Sequence, residues 1–321
     1  YVWLPLSHLL MLPFIWINSL YYSGFAGILL SQISFVVASL YIYKSAHLLS
    51  GKKLAGIAAF VFFIANPNTL YIQATPLTEM LYVCILTLAV YFLLLWGAKR
   101  KLLYLVLCTS FFFASSLVRY DGWFISLAAF VLIAGYELWL SRSWRKTEAV
   151  GVVFGMFAFL GPLLWVLWNW ILFGHPFYFA IGTYSAKFQQ LDLLLKGGLP
   201  SYHNIGNALA HIFYSGQMVL GWTSLLLGLI GIMYILYKAI LNKQYYHIFF
   251  GLLGLQVLYY IVNIYVGNGV IFVPQLSPFK MFNIRYALTF VPLFVIAAGV
   301  LISKFRTFAY VILLVAIFEF G

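Results

Sequence analysis

The 321-residue chain is 65% hydrophobic and 7% charged, against about 25% charged residues in a soluble globular domain, and its mean hydropathy is +1.02; a soluble domain is excluded. The formal net charge of +12 would suit nucleic acid if it lay on one face. Instead the basic residues fall almost entirely in every second gap between apolar runs, which is the signature of membrane topology and excludes a nucleic-acid partner. What remains is an all-α, polytopic transmembrane helix bundle forming a single module over 1–321, since each span takes about 20 apolar residues. The short alternating strands of a β-barrel do not occur.

The first segment, 1–22, carries Trp3, Trp16, Tyr21 and Tyr22, amphipathic aromatics that favour the headgroup layer. It is predicted to be an external interfacial helix broken by Pro5 and Pro13. Ten spans then follow at roughly 23–44, 54–72, 76–96, 101–118, 122–140, 148–172, 213–240, 247–266, 286–303 and 308–321. The gaps with Lys44/Lys52/Lys53, Lys99/Arg100/Lys101, Arg142/Arg145/Lys146, Lys238/Lys243 and Lys304/Arg306 hold 13 of the 18 Lys and Arg. Basic residues resist translocation, so these gaps are predicted to be cytoplasmic; those holding Arg119, Lys187, Lys196, Lys280 and Arg285 are then external. Glu137 and Glu148 are read as solvated partners of Arg142, Arg145 and Lys146, and Trp165, Trp168, Asn169 and Trp170 as interfacial belt. Two external loops are long, 174–211 and 268–285, and long loops more often carry function. Cys84 and Cys108 sit inside apolar runs, which argues against a disulfide framework or a zinc site. The chain opens at Tyr1 without Met and stops inside an apolar run at Gly321, so a fragment truncated at both ends is expected.

The chemistry-bearing residues are few, and they cluster at external span ends. In Thr75-Pro76-Leu77-Thr78-Glu79, Thr75 can cap the next helix with Pro76 at its first position. Glu79 then lies in the first turn, either as a carboxylate satisfied by the helix dipole or as a general base or metal ligand. Arg119-Tyr120-Asp121-Gly122-Trp123 is a tight turn: a local Arg–Asp pair, or an arginine whose planar fork holds a phosphate. Asn283-Ile284-Arg285-Tyr286 opens a late span from the same side, with Lys280 as a further cation; such cations also attract anionic lipid heads. His8 and His175 are external too, more often hydrogen-bonded structural residues than metal ligands.

Five of these segments, in order, resemble multispan glycosyltransferases of the GT-C fold, in the branch of protein O-mannosyltransferases and aminoarabinose transferase. They are Val2-Trp3-Leu4-Pro5-Leu6-Ser7-His8-Leu9-Leu10; Asn66-Pro67-Asn68 with Leu70-Tyr71-Ile72-Gln73 and Thr75 to Glu79; Arg119 to Trp123; Phe173-Gly174-His175-Pro176 with Tyr184-Ser185-Ala186-Lys187; and Arg285-Tyr286 with Pro292. The resemblance covers essentially the whole chain. It implies transfer of a sugar from a polyprenyl- or dolichyl-phosphate donor to a protein, lipid or glycan acceptor, at the external face of the cell membrane. The branch's usual first-loop Asp falls before Tyr1, so the N-terminal span and that base are expected to be missing. Glu79 and Asp121 are the remaining candidate catalytic carboxylates, and Arg119, Lys280, Arg285 and Tyr286 the candidate phosphate ligands. His8, Tyr184 and Lys187 are acceptor or loop candidates. A sugar phosphate leaves as a stable anion, so a base and cations suffice; the residues neither require nor exclude a divalent metal. A secondary transporter or lipid flippase is the alternative, predicting mid-span charges and pseudo-symmetric halves, neither of which is visible; a non-catalytic scaffold is a third.

Overall fold

The computed structural model describes residues 2–277 and 280–305; the predicted span 308–321 lies outside them. Among the described residues the regular elements are helical, with one isolated antiparallel bridge between Phe272 and Phe282. In chain order they are α1 (Leu6–Ile15), α2 (Asn18–Tyr22), α3 (Phe25–Ser50), α4 (Lys53–Ile64), α5 (Pro67–Gln73), α6 (Glu79–Lys99), α7 (Leu102–Ser116) and α8 (Asp121–Ser141). After these come α9 (Trp144–Ala158), α10 (Leu160–Phe173), α11 (Tyr178–Ile181), α12 (Ala186–Leu195) and α13 (Ile205–Leu241). The 3-10 run Tyr245–Gly254 leads into α14 (Leu255–Tyr265), and Ile284–Phe290 into α15 (Val291–Ile302). Six of these helical runs are long and apolar enough to cross a membrane, and up to eight if the bent pairs α4–α5 and α9–α10 each count as one. The chain is an integral, multi-pass membrane protein.

The predicted span 54–72 is two helices meeting at 65°. Pro67 has no N–H to continue the ladder, and Asn66 caps α5 by accepting from the backbone N–H groups of Asn68 and Thr69. The Asn66 side-chain amide donates to Val219 O (2.7 Å), as does that of Asn68 (3.2 Å). Val219 O is available because α13 breaks at Gly221, whose φ of 71° is open only to glycine at low cost. Two helix breaks thus satisfy one another.

Several local expectations change. Helix α1 begins after Pro5 but runs through Pro13, which has no N–H to donate to Leu9 O, and ends two residues later at Ile15; the chain bends at the extended Ile17 instead. The loop 174–211 ends at Asn204, because its side chain caps Asn207 N and starts α13 eight residues before the expected 213; α11 and α12 fill the loop. Glu137 is 3% exposed and pairs with Arg100, not with its loop neighbours. It lies one turn before the end of α8 and faces the α6 terminus, where Arg100 also lies 4.1 Å from the Trp96 ring centroid.

Helices α6 and α15 form the core, and every α15 residue is buried. Helix α15 packs on α13 through Gly231, where a Cβ would meet Ala297 O at 2.2 Å, and on α4 through Gly299, where one would meet Ala55 O at 2.5 Å. Small residues permit this approach, which replaces the hydrophobic drive that lipid removes. The 21 residues of α6 separate Glu79 from Arg100 by about 30 Å, so ion pairs close the bundle at both ends.

Candidate functional site

Four charged side chains from three separate parts of the chain, Glu79, Arg119 with Asp121, and Arg285, meet where α6 and α8 begin. Thr75 does not cap α6: its hydroxyl donates to Ile72 O (2.7 Å) and closes α5. Helix α6 opens at Glu79 itself, with Thr78 at the N-cap and no side-chain bond, so the carboxylate sits at the positive end of the helix. Asp121 occupies the same place on α8. The turn between α7 and α8 is held tight by Gly122, whose Cβ would lie 2.6 Å from Ser115 O. Asn283, in the left-handed region at φ 57°, turns the chain into the 3-10 run that carries Arg285 and Tyr286.

Arg119 organises the cluster. Its Nε lies 3.2 Å from Asp121 Oδ1 and 3.3 Å from Oδ2, its Nη1 donates to Glu79 Oε1 (3.4 Å), and its Nη2 donates to Tyr260 Oη (2.8 Å). Tyr260 in turn donates to Asp121 Oδ2 (2.9 Å). The guanidinium also faces the rings of Tyr286 (5.3 Å) and Tyr82 (5.8 Å). Burial pulls the Arg119 pKa down, but Asp121, Tyr260 and Glu79 outweigh it and hold the group well above the usual arginine value. Arg285 Nε approaches Glu79 Oε1 at 3.0 Å as an ion pair, without the alignment of a hydrogen bond.

The two carboxylates differ. Both oxygens of Asp121 are engaged, by Arg119 and Tyr260. Glu79 is 2% exposed; its Oε1 meets both arginines, while Oε2 has no hydrogen-bond partner among the described residues. A cavity of about 290 Å³ opens beside it, lined by Glu79, Arg119, Arg285 and Tyr286 on one side and by Trp3, Ser7, His8 and Met11 of the N-terminal segment on another. Leu30, Leu77 and Leu81 give it apolar walls. Its lining thus includes a buried carboxylate with one unpaired oxygen and a guanidinium whose side chain is 39% exposed.

The remaining predicted residues are placed apart. His8 is exposed at the cavity, with Nδ1 3.5 Å from Ser7 Oγ. Lys280 is exposed, 5.8 Å from the Phe272 ring centroid, and does not line the cavity. Tyr184 and Lys187 are exposed around the start of α12, also outside it. His175 accepts from Phe177 N (3.1 Å), a local structural bond. Among the described residues no three His, Cys, Asp or Glu side chains gather as a metal-binding group. Trp165 is not belt: it is 5% exposed and donates to Tyr120 Oη (3.1 Å).

Tyr82, Gln256 and Tyr260 were not legible as site residues. Gln256 donates to Tyr82 Oη, and Tyr260 bridges Arg119 and Asp121. The available signal was Gln256 and Tyr260 four residues apart within an apolar run, which places both on one helix face.

Fold and site together define a multi-pass helix bundle with a two-carboxylate, two-arginine cluster at the wall of a cavity. The chain matches no protein family, curated protein or solved structure with which it was compared.

Proposed function

We propose that the protein is an integral-membrane glycosyltransferase of the GT-C kind, moving a sugar from a polyprenyl- or dolichyl-phosphate donor to an acceptor hydroxyl at the external face of the cell membrane. The observation that carries this reading is the pairing, at one cavity, of the buried Glu79 carboxylate, whose Oε2 has no hydrogen-bond partner among the described residues, with the partly exposed Arg285. In this reading Glu79 takes the acceptor proton as the acceptor oxygen bonds to the sugar's anomeric carbon. The carbon–oxygen bond to phosphate breaks, and the lipid phosphate leaves as an anion that Arg285 neutralises. No general acid is needed. Asp121, with both oxygens occupied, positions Arg119 instead of taking the proton. Arg119, each of whose nitrogens already has a partner, orients Glu79, which leaves Arg285 as the phosphate ligand best supported by the geometry. Tyr286 packs beside both arginines. The ten-span count belongs to this reading: six long runs, two bent pairs, α7, and the apolar sequence 308–321.

A transporter or flippase is supported by one feature, the meeting of broken helices at Asn66 and Gly221, which transporters use to build ion sites. The groups that meet there are amides and carbonyls, without a charged side chain. The glycosyltransferase reading is therefore preferred.

Its test is binding and cleavage of polyprenyl-phosphate mannose and polyprenyl-phosphate glucose by the purified full-length protein in nanodiscs, with released sugar as the readout. Arg285→Ala should raise the donor Kd by roughly 10- to 100-fold, the loss of one charge-assisted bond to an anion. Failure of the unsubstituted full-length protein to bind or cleave either donor would overturn the reading.

The orientation has its own test. Cys84 and Cys108 are buried, so a new cysteine is read against a quiet background. Cysteines replacing Tyr184 or Lys187 should react with an impermeant maleimide added outside cells, and those replacing Arg145 or Lys243 only after permeabilisation. Labelling of position 187 from the cytoplasmic side alone would reverse the topology.

A further inference from the structure

Tyr260 is buried, 4% exposed, and its hydroxyl touches both members of the Arg119–Asp121 pair. Its single proton goes to Asp121 Oδ2 (2.9 Å), and its oxygen accepts from Arg119 Nη2 (2.8 Å). Accepting from a cation polarises the O–H and strengthens what it donates. The ring cannot drift: it stacks on Tyr286 (5.4 Å between centroids, 16° between planes) and meets Phe290 edge-on (5.9 Å). One turn earlier on α14, Gln256 donates to Tyr82 Oη, so the same helix face is tied to α6 at one level and to α8 at the next.

We propose that Tyr260 is a positioning residue: it locks the plane of the Arg119 guanidinium against Asp121, and through it the Glu79 carboxylate. This rests on the reading of the site as a sugar-transfer centre. A guanidinium is a planar fork, and each of its three nitrogens here has a different partner: Asp121, Tyr260 and Glu79. Without the phenol oxygen, Nη2 loses its acceptor and Asp121 Oδ2 one of its donors. The fork can then turn about its Cδ–Nε bond, and Nη1 is no longer held toward Glu79 Oε1. Glu79 remains within reach of Arg285 but is free to rotate, so Oε2 loses its aim on the acceptor. Arg285 is untouched, so donor binding survives while the chemical step slows. Displacements of about 1 Å at a reacting group cost up to about 10²-fold in rate.

The test is Tyr260→Phe in the full-length protein in nanodiscs, with Kd for polyprenyl-phosphate mannose and polyprenyl-phosphate glucose measured separately from the single-turnover rate of sugar release. The expected result is a Kd within about twofold of the unsubstituted protein and a rate lowered roughly 10-fold or more. A role confined to packing would not split the two. Asp121→Asn, which keeps the side-chain volume, serves as the second variant and should show the same split. The double variant should be no slower than the slower single, because the residues act as one unit. An unchanged rate in Tyr260→Phe, a raised Kd with the rate intact, or multiplying losses in the double variant would each overturn the proposal. An unsubstituted full-length protein inert toward both donors would overturn the functional reading and this inference with it, an outcome distinct from an active protein that ignores the loss of the hydroxyl.

Discussion

Glu79→Gln should lower sugar release from a polyprenyl-phosphate donor by roughly 10²-fold or more, the range expected when an acid–base group is removed. Glutamine keeps the volume and an acceptor oxygen, so Arg119 and Arg285 retain a partner at the Oε1 position, where both now converge. What disappears is the charge and the basicity of the unpaired oxygen, Oε2. Donor affinity should change little or tighten, because removing a carboxylate beside Arg285 leaves that cation freer to meet phosphate. The thermal midpoint in detergent and the elution profile should stay close to those of the unsubstituted protein. A variant with full turnover would reduce Glu79 to a helix-end residue, and one with normal chemistry but weak donor binding would move it from base to binding group.

The membrane class was legible from composition alone, since about 20 apolar residues are needed per crossing and they recur along the chain. The breaks were not. Asn66-Pro67 reads as a helix start as easily as a kink, and only the pairing of Asn66 with Val219, across 153 residues, decides between them. Gly221 looked like any glycine in a span. In the site, polarity at span ends marked Glu79, Arg119, Asp121, Arg285 and Tyr286, and the structure brings these together. Charge asymmetry assigns a side of the membrane but gives no lateral position, which is why Lys280, Tyr184 and Lys187 shared the expected side yet do not line the cavity. Tyr260 and Tyr82 were hidden for a different reason. Among 24 tyrosines, an aromatic that anchors at the interface and one that bridges an ion pair have the same local sequence, and only packing separates them. Glu137 repeats the lesson at the opposite end, where its partner Arg100 comes from another gap.

Arg119→Ala should be the most destabilising single substitution in the cluster, by about 3–5 kcal/mol, the range for removing one partner of a buried ion pair. The cost comes from what stays behind. Asp121, whose side chain is 1% exposed, would keep the Tyr260 bond but lose its cation; Glu79, at 3%, would keep only the off-line approach of Arg285. Lysine at 119 should restore part of the loss, since an ammonium neutralises the charge but is a point donor that lacks the planar fork joining Asp121, Tyr260 and Glu79. Arg100→Ala, at the other end of α6, should cost less, because its side chain is 34% exposed and water already shares the screening. The pH dependence has a definite sign. The folded pKa of Arg119 is raised above the ordinary arginine value, so its contribution is fully present below that value and is lost only as pH rises through the higher folded one. Between about pH 6 and 9 the difference in unfolding free energy between Arg119→Ala and the unsubstituted protein should therefore carry no slope from the arginine itself. Denaturation of both proteins in the same detergent across that range measures it. A loss below about 1 kcal/mol, the size of an exposed pair, would mean that water reaches the cluster and that Arg119 does not hold the two carboxylates together.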